Sequence, residues 1–521
     1  MRRVLSGAEM READRATIED RGVTSLVLME SAATAVTRSI ATMARRLSDE
    51  KIVVLCGKGN NGGDGLAVAR QLLLLHPALD LHVALLATPQ SLSPDALANW
   101  RMLEAQDFRA SAAPTRREWS TLLPAISDAT LIVDAILGTG IKGSPRGLAA
   151  RVIDDVNAGF RNAKVVAVDM PSGLPSDSGL APLGPVMRAD RTVTFTAPKV
   201  SQVLPPACEL AGTLSVARIG TPDSVLDALP GPRLLLAGPE DARPYTARRD
   251  RSTHKGTFGH VLAIGGSRSK PGAILMAGMA ALRAGAGLAT VLTAESAAQA
   301  LTAHTPELML EPAKTLSDGT LGADALEPGA FSGKTVVAMG PGLGTGGANV
   351  ELAAKVIESC PLPLVIDADG LSAVREARID ARTAPTVLTP HPGEMARLAG
   401  MDTAAVQRDR PAVARRVARE CGAHVVLKGN RTLIADPDGD LVVNPTGTPG
   451  MATAGSGDIL TGILAALLAQ FPRRPVLETV SAGVYLHGLA GEMAVRDFGE
   501  QGMLATDLAR CLPAAAEALG R

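Results

Sequence analysis

The sequence predicts two consecutive α/β domains, each built on a mostly parallel sheet. Three observations predict it. Short β-rich apolar runs alternate with helical stretches along most of the chain. The runs end in turns rich in Gly, Asp and Pro, the places where such sheets present polar groups. The alternation breaks off once, between about residues 220 and 255, and then restarts. A chain of 521 residues is also too long for a single core.

In the first half, buried strands are expected at 51–56, 81–87, 131–134, 165–169 and 191–195, with helical pieces at 66–75 and 95–105 between them. The seam contains "TPDSVLDALPGPR" and "GPEDARPYTARRDRSTHKG", rich in Pro and charge and poor in pattern, which is the composition of a linker. The domains are therefore expected at 1–225 and 232–521, with the boundary near Pro232. In the second half, strands are expected at 260–265, 288–292, 335–339, 364–367, 386–388 and 424–427, with a hairpin after the last.

The bulk numbers exclude several classes. The net charge is -1 and aromatics make up 2%, so neither a basic field nor stacking platforms favour nucleic acid. The apolar run near 459–468 is too short to span a bilayer, and "MRRVLSGAEMREADR" has no apolar run behind its arginines, so no membrane span or signal peptide is expected. Five scattered cysteines with no CxxC pair point to free thiols in a reducing cytoplasm. No HxxxH spacing suggests zinc.

The first half carries "LCGKGNNGGDG" after its first strand, and Gly57, Gly59 and Gly62 match the dinucleotide fingerprint G-x-G-x-x-G. Two features argue against hydride transfer. Asp64 places a carboxylate where a pyrophosphate would meet the helix N-terminus, and "LLATPQS" offers no acid for a ribose hydroxyl. Two further strand ends are polar: "IVDAILGTGIKGSPRG" with Asp134, and "VVAVDMPSGLPSDSG" with Asp169 and Ser172. Singly, each aspartate could be a turn cap. Together, the three loops offer backbone N–H groups for phosphate, and Asn61, Asp134 and Ser172 offer oxygens for a hard cation.

"GKGNNGGDG", "DAILGTG" and "DMPSGL", with the opening "MREADRATIEDRGVTSLVLMESAA", closely resemble the YjeF N-terminal family of NAD(P)H-hydrate epimerases over about residues 1–220. The resemblance implies a Rossmann-like three-layer domain. It implies substrate binding by Asn60, Asn61, Gly62, Gly63 and Asp64, by Gly138, Thr139, Gly140, Ile141, Lys142, Gly143 and Ser144, and by Asp169. It implies a potassium ion held by Asn61, Asp134 and Ser172. One position departs from the family's "MENAG": here "MESAA" has Ser31 for Asn. Asp169, at a strand end, is the candidate acid–base group for inverting C6 of the hydrated ring, and Lys199 in "FTAPKV" is a second candidate.

In the second half, "TAGSGDILTGILAALLAQ" sets Gly455, Ser456 and Gly457 at the start of a helix with Asp458 beside them. Free N–H groups there would stabilise a phosphoryl group, and Asp458 could take a proton from a hydroxyl as phosphate is transferred. "AMGPGLGTGG", "VIDADGL", "LTPHPGEMARL" and "VLKGNRTLIADPDGD" place further glycines, Asp367, Asp369, His391, Glu394 and Lys428 at strand ends.

With "HKGTFGHVLAIGGS" and "ALRAGAGLATVLT", these motifs stand in the order of the YjeF C-terminal family, the ADP- or ATP-dependent NAD(P)H-hydrate dehydratases, over about residues 250–515. The resemblance implies a ribokinase-like α/β/α domain. It implies substrate contacts from Ala273, Gly342, Gly344, His391 and Asp458, and nucleotide contacts from Lys428, Gly429, Asn430, Arg431, Thr432 and Gly457. It further implies magnesium with ADP as co-substrate and a homo-oligomer; the cytoplasmic location and the expectation of no nucleic-acid or membrane partner rest on the cysteines, charge and composition above. The alternatives are a vitamin or sugar kinase in the second half and a non-catalytic scaffold in the first.

Overall fold

The computed structural model describes residues 1–44, 46–141 and 143–520. The chain forms two compact units, 3–231, and 232–521 together with Met1 and Arg2.

The first unit is built on a sheet of seven strands. Across the sheet they run Ser111–Ala112, Asp80–Leu85, Lys51–Cys56, Leu131–Ala135, Lys164–Val168, Arg191–Phe195 and Thr213–Ala217. All neighbours are parallel. Chain order reverses between Lys51–Cys56 and Leu131–Ala135, so the loops leaving these strands diverge and open a crevice at their carboxyl ends. One face is covered by the helices Ser25–Met43 and Asn60–Leu75, whose Ala32, Val36, Ile40, Leu66 and Leu72 pack on Val54, Val133 and Val166. The other face packs Trp119, Val152, Ile153 and Val156 on Val53, Leu55 and Ile132. A sheet buried on both faces explains why its strands are continuously apolar rather than alternating.

The glycine-rich stretch after Lys51–Cys56 differs from expectation. Sequence places a helix at 66–75; the observed helix begins at Asn60, with Gly59 as its N-cap. Glycines are poor helix formers, but here the helix lies too close to its neighbours for side chains. A Cβ on Gly62 would sit 1.9 Å from the Gly57 carbonyl oxygen, and one on Gly65 2.5 Å from the Ala135 Cβ. Close packing overrides propensity. The strands Thr213–Ala217 and Ser111–Ala112 also escaped the sequence reading; both are more exposed than the central ones.

In the second unit the strands run, across the sheet, Leu234–Leu236, Leu441–Val443, Leu433–Ala435, His424–Leu427, Thr386–Leu388, Leu364–Ile366, Val336–Met339, His260–Ile264, Leu288–Ala294 and Met309–Ala313. The six pairings from His424–Leu427 to Met309–Ala313 are parallel. Leu433–Ala435 runs antiparallel to both its neighbours and forms the hairpin expected after Lys428. Chain order reverses at His260–Ile264, and the Gly340–Gly344 turn and the start of helix Pro271–Arg283 meet there. Helix Ser456–Gln470 is buried along nearly its whole length, with Ile459, Ile463, Leu464 and Leu467 in the interior. Among the described residues no helix is long and apolar enough to cross a membrane, and the five cysteines form no disulfide.

Candidate functional site

Each unit carries a candidate site at the carboxyl ends of its strands. In the first, a cleft of about 640 Å³ is lined by Gly57, Gly59, Asn60, Asn61 and Asp64 from one side of the switch point and by Ile136, Leu137, Gly138, Thr139, Gly140 and Ile141 from the other. Asp169 and Lys199 also line it, as do Met10, Asp14 and Asp95, which the sequence reading did not single out.

Asp169 follows strand Lys164–Val168 at a positive φ of 61°. Its Oδ1 accepts from Lys199 Nζ at 2.5 Å, Thr194 Oγ1 at 3.0 Å and the Phe195 N–H at 3.2 Å. Oδ1 is saturated, which leaves Oδ2 for a ligand. Lys199 is fully buried, so it is no surface lysine; its other two hydrogens go to Thr194 Oγ1 at 2.8 Å and the Phe195 carbonyl at 3.2 Å. Around this pair the cleft gathers negative charge. Burial, then Asp169, push the Asp14 carboxyl up to about 6, with Lys199 opposing. Burial raises Asp64 well above the usual carboxylate range, assisted by Asp169, Asp14 and Asp95. The aspartate that looked wrong for a phosphate cradle thus belongs to an aspartate cluster that faces one buried ammonium.

Asp134 and Ser172 lie just behind the cleft wall and are fully buried. Ser172 donates its hydroxyl to Asp134 Oδ1 at 2.5 Å and its N–H to Oδ2 at 2.7 Å, while its oxygen accepts the Leu137 N–H at 2.8 Å. Burial raises Asp134 to about 6 against the pull of the Ser172 hydrogen bonds. Asn61 lies against Gly138, and its buried Nδ2 has no hydrogen-bond partner. Asn60 Oδ1 accepts from the Ser93 hydroxyl at 2.7 Å. Gly62 and Gly63 are buried within the helix rather than on the cleft. Gly143 and Ser144 are not among the residues lining the cleft, and Lys142 lies outside the described residues.

In the second unit, Gly457 and Asp458 fall in the first turn of helix Ser456–Gln470, where N–H groups have no partners within the helix. The ammonium of Lys428 reaches this turn from the strand end after Leu427. It donates to Asp367 Oδ1 at 2.7 Å and lies 3.9 Å from Glu394 Oε2. Asp367 Oδ2 accepts from Thr461 Oγ1 at 2.8 Å, one helical turn beyond Asp458. Burial would weaken the Lys428 ammonium, but Asp367 and Glu394 outweigh it and the net shift is upward. Burial, then Asp367, push Asp458 up to about 7, opposed by Lys428 and supported by Asp369 and Glu394. Proton affinity near neutrality suits a general base.

The remaining predicted residues surround this centre. Gly342 packs on Ala273; a Cβ there would lie 3.3 Å from that of Ala273. The Gly344 N–H donates to Asp369 Oδ2 at 2.9 Å, and Lys270 Nζ approaches the same oxygen at 3.4 Å. His391 caps helix Pro392–Ala399, its Nδ1 accepting from Gly393 N–H at 3.0 Å, while Glu394 Oε2 accepts the His391 N–H at 2.8 Å. Gly429, Asn430, Arg431 and Thr432 form the turn between two strands. Buried Arg410, missed in the sequence, fixes that turn by donating to the Asn430, Leu427 and Lys428 carbonyls at 2.6, 3.2 and 3.3 Å. His487, also missed, is pushed down to about 4 by burial, and its Nε2 bonds the Ser456 carbonyl at 2.9 Å, pinning the helix start.

Comparison with known proteins matches two families in succession along the chain. Residues 25–201 match the family described as YjeF-related protein N-terminus, and residues 261–514 match the family described as NAD(P)H-hydrate dehydratase. The bifunctional NAD(P)H-hydrate repair enzyme Nnr of Moorella thermoacetica is 42% identical over 98% of this chain and 96% of its own. The Escherichia coli K12 protein of the same name is 37% identical over 96% of this chain and 91% of its own. Among solved structures, an ADP/ATP-dependent NAD(P)H-hydrate dehydratase from Bacillus subtilis, co-crystallised with ATP/Mg2+, is 33% identical, with a TM-score of 0.49, covering 55% of this chain and 98% of that one.

Proposed function

The chain belongs to the bifunctional NAD(P)H-hydrate repair enzymes, and from that premise we propose how its two units divide the work. The first unit, to about residue 225, interconverts the R and S forms of NAD(P)H hydrate at C6. The second, from Pro232, dehydrates the S form to NAD(P)H at the expense of ADP, releasing AMP and phosphate. The observation that carries the assignment is the grouping of Asp458 with Lys428, Asp367, Asp369 and Glu394 at a helix N-terminus, a phosphate site with a base poised near neutrality.

In the dehydratase unit, Asp458 takes the proton of the C6 hydroxyl as its oxygen attacks the β-phosphorus of ADP and AMP departs. The C6 oxygen then leaves as inorganic phosphate, expelled by the lone pair of the ring nitrogen, and loss of a proton from C5 forms the C5=C6 bond of NADH or NADPH. Hydroxide is a poor leaving group and phosphate a good one, which is why a dehydratase is built on a kinase-like site. The first-turn N–H groups of helix Ser456–Gln470 bind the phosphoryl oxygens, and the turn Lys428, Gly429, Asn430, Arg431 and Thr432 holds the nucleotide. Ala273, Gly342, Gly344 and His391 border the hydrated ring. Magnesium would arrive on the nucleotide's phosphates and would neutralise charge on the transferring group, since the Asp367 carboxylate is already engaged by Lys428 and Thr461.

In the epimerase unit, Asn60, Asn61, Asp64, Gly138, Thr139, Gly140 and Ile141 bind the substrate, and Asp169 is an acid–base group. Potassium fits beside Asn61, Asp134 and Ser172. Asp134 is a fully buried carboxyl with no basic group among its partners, so a cation beside it would offset the cost of its charge. A cation there would balance the carboxylate and organise the loop that binds the dinucleotide. A cytoplasmic location is supported by five cysteines that form no disulfide, and homo-oligomeric assembly by the family resemblance alone.

The test is recovery of NADH absorbance from a racemic NADH hydrate with magnesium and ADP, with AMP and phosphate measured alongside. Full recovery with one AMP and one phosphate per NADH is expected. Recovery without nucleotide consumption would overturn the phosphorylation route.

A further inference from the structure

We propose that Asp14 is the second acid–base group of the epimerase cleft, working with Asp169, and that epimerisation proceeds by opening and reclosing the hydrated ring at the C6–N1 bond. The proposal rests on the reading of the first unit as the epimerase.

Asp14 is delivered to the cleft by a docked helix. The Leu5 N–H donates to the Pro198 carbonyl at 2.9 Å, and Leu5 bridges Lys199 in parallel. Helix Gly7–Arg15 follows, started by a Ser6–Glu9 capping box. Its Met10 and Ala13 are buried with Leu5 against Ala197, two residues before Lys199. Met10, Asp14 and Ile18, four residues apart, all line the cleft, so this edge contributes a single polar group set between two apolar ones. Asp14 is half-buried, and among the described residues no hydrogen bond occupies its carboxyl. The charged groups acting on it are Asp169 and Lys199, and it in turn acts on Asp64.

The chemistry needs two groups. C6 of the hydrated ring is a hemiaminal carbon, bearing a hydroxyl and the ring nitrogen. Asp169 takes the hydroxyl proton, the C6–N1 bond breaks with its electron pair on N1, and C6 becomes an aldehyde carbon. Asp14 supplies the proton that N1 gains. Rotation about C5–C6 presents the other aldehyde face. N1 attacks it, Asp14 takes its proton back and Asp169 returns one to the oxygen. No atom is lost, and no oxidant or reductant is needed. Lys199 cannot serve as the acid, because its three hydrogens are all committed to Asp169, Thr194 and Phe195; it is a positioning residue. Asp64 is the other nearby carboxyl, but burial holds it well above the usual range, whereas Asp14, at about 6, can release and regain a proton near neutrality.

The experiment uses the full chain, racemic NADH hydrate deuterated at C6, magnesium and ADP, with spontaneous epimerisation subtracted from an enzyme-free control. Wild type recovers all the NADH with deuterium retained. Asp14→Asn should dehydrate the S form at the wild-type rate, showing that the chain is folded, and then stop near half, its epimerisation slowed at least about 100-fold. Asp14→Glu should restore a measurable second phase. Asp14→Asn epimerising within about threefold of wild type, or loss of deuterium to solvent, overturns the proposal while the epimerase reading stands. A wild-type chain with no second phase overturns the reading itself and the proposal with it.

Discussion

Lys428 and Asp367 form a partly buried ion pair, Nζ to Oδ1 at 2.7 Å, beside Gly457 and one residue short of Asp458 along the helix. The two partners act on Asp458 with opposite sign: Asp367 raises its proton affinity and Lys428 lowers it. The pair therefore tunes the proposed base, and its halves are separable by pH.

For dehydration of the S form, kcat/KM should rise with pH through about 7 as Asp458 loses its proton, then level off. Asp367→Asn removes a negative neighbour, so the midpoint should move to lower pH. Lys428→Met removes the opposing positive charge and should move it higher. Asp369 and Glu394 remain in both variants. Shifts in the same direction would dismiss the pair as the tuning element.

Asp458→Asn should cut dehydration by about 100-fold or more while leaving interconversion of the R and S hydrates intact, measured by chromatography of the two epimers. A variant that still consumes ADP and forms NADH at near the wild-type rate would remove Asp458 from the role of base.

Lys199→Met strips the partner from a carboxylate that is itself only 14% exposed. Leaving one half of such a pair is expected to destabilise the first unit by about 3–5 kcal/mol. The thermal transition of that unit should fall, and epimerisation with it. An unchanged transition would show that Asp169 finds solvent or another donor.

Asp134 is raised from 3.8 to about 6 in the fold. A carboxyl raised in this way opposes folding once ionised. Without a bound cation, stability of the first unit should fall as pH rises from about 4 through about 6 and stay low above it. Potassium, compared with choline at equal ionic strength, should restore stability above pH 6, and Asp134→Asn should abolish the difference. Equal melting in both salts at pH 7.5 would count against a potassium site here.

Gly62→Ala places a methyl group 1.9 Å from the Gly57 carbonyl and should destabilise the first unit by at least about 2 kcal/mol. Gly59→Ala meets nothing within 4 Å and loses only a glycine N-cap, so it should cost no more than about 1 kcal/mol. Denaturant melts of the two variants should separate clearly.

The sequence by itself determined the α/β class, most central strands and the loops that carry the chemistry. Strands buried on both faces must be continuously apolar, and loops at the carboxyl ends of parallel strands must carry the polar groups, so both leave local signals. "GKGNNGGDG" and "AGSGD" are legible because phosphate sites need small residues beside a helix start. Only the tertiary structure decided that Asn60–Asp64 opens the helix, since the close approach that excludes a side chain at Gly65 comes from Ala135 on the neighbouring strand. Only it joined Lys199 to Asp169, thirty residues apart, and Lys428 to Asp367, sixty-one apart. Asp14 lay in plain sight between Met10 and Ile18, but nothing local shows which face of a short helix meets a cleft. That depends on the docking of Leu5 beside Lys199, a contact between distant segments.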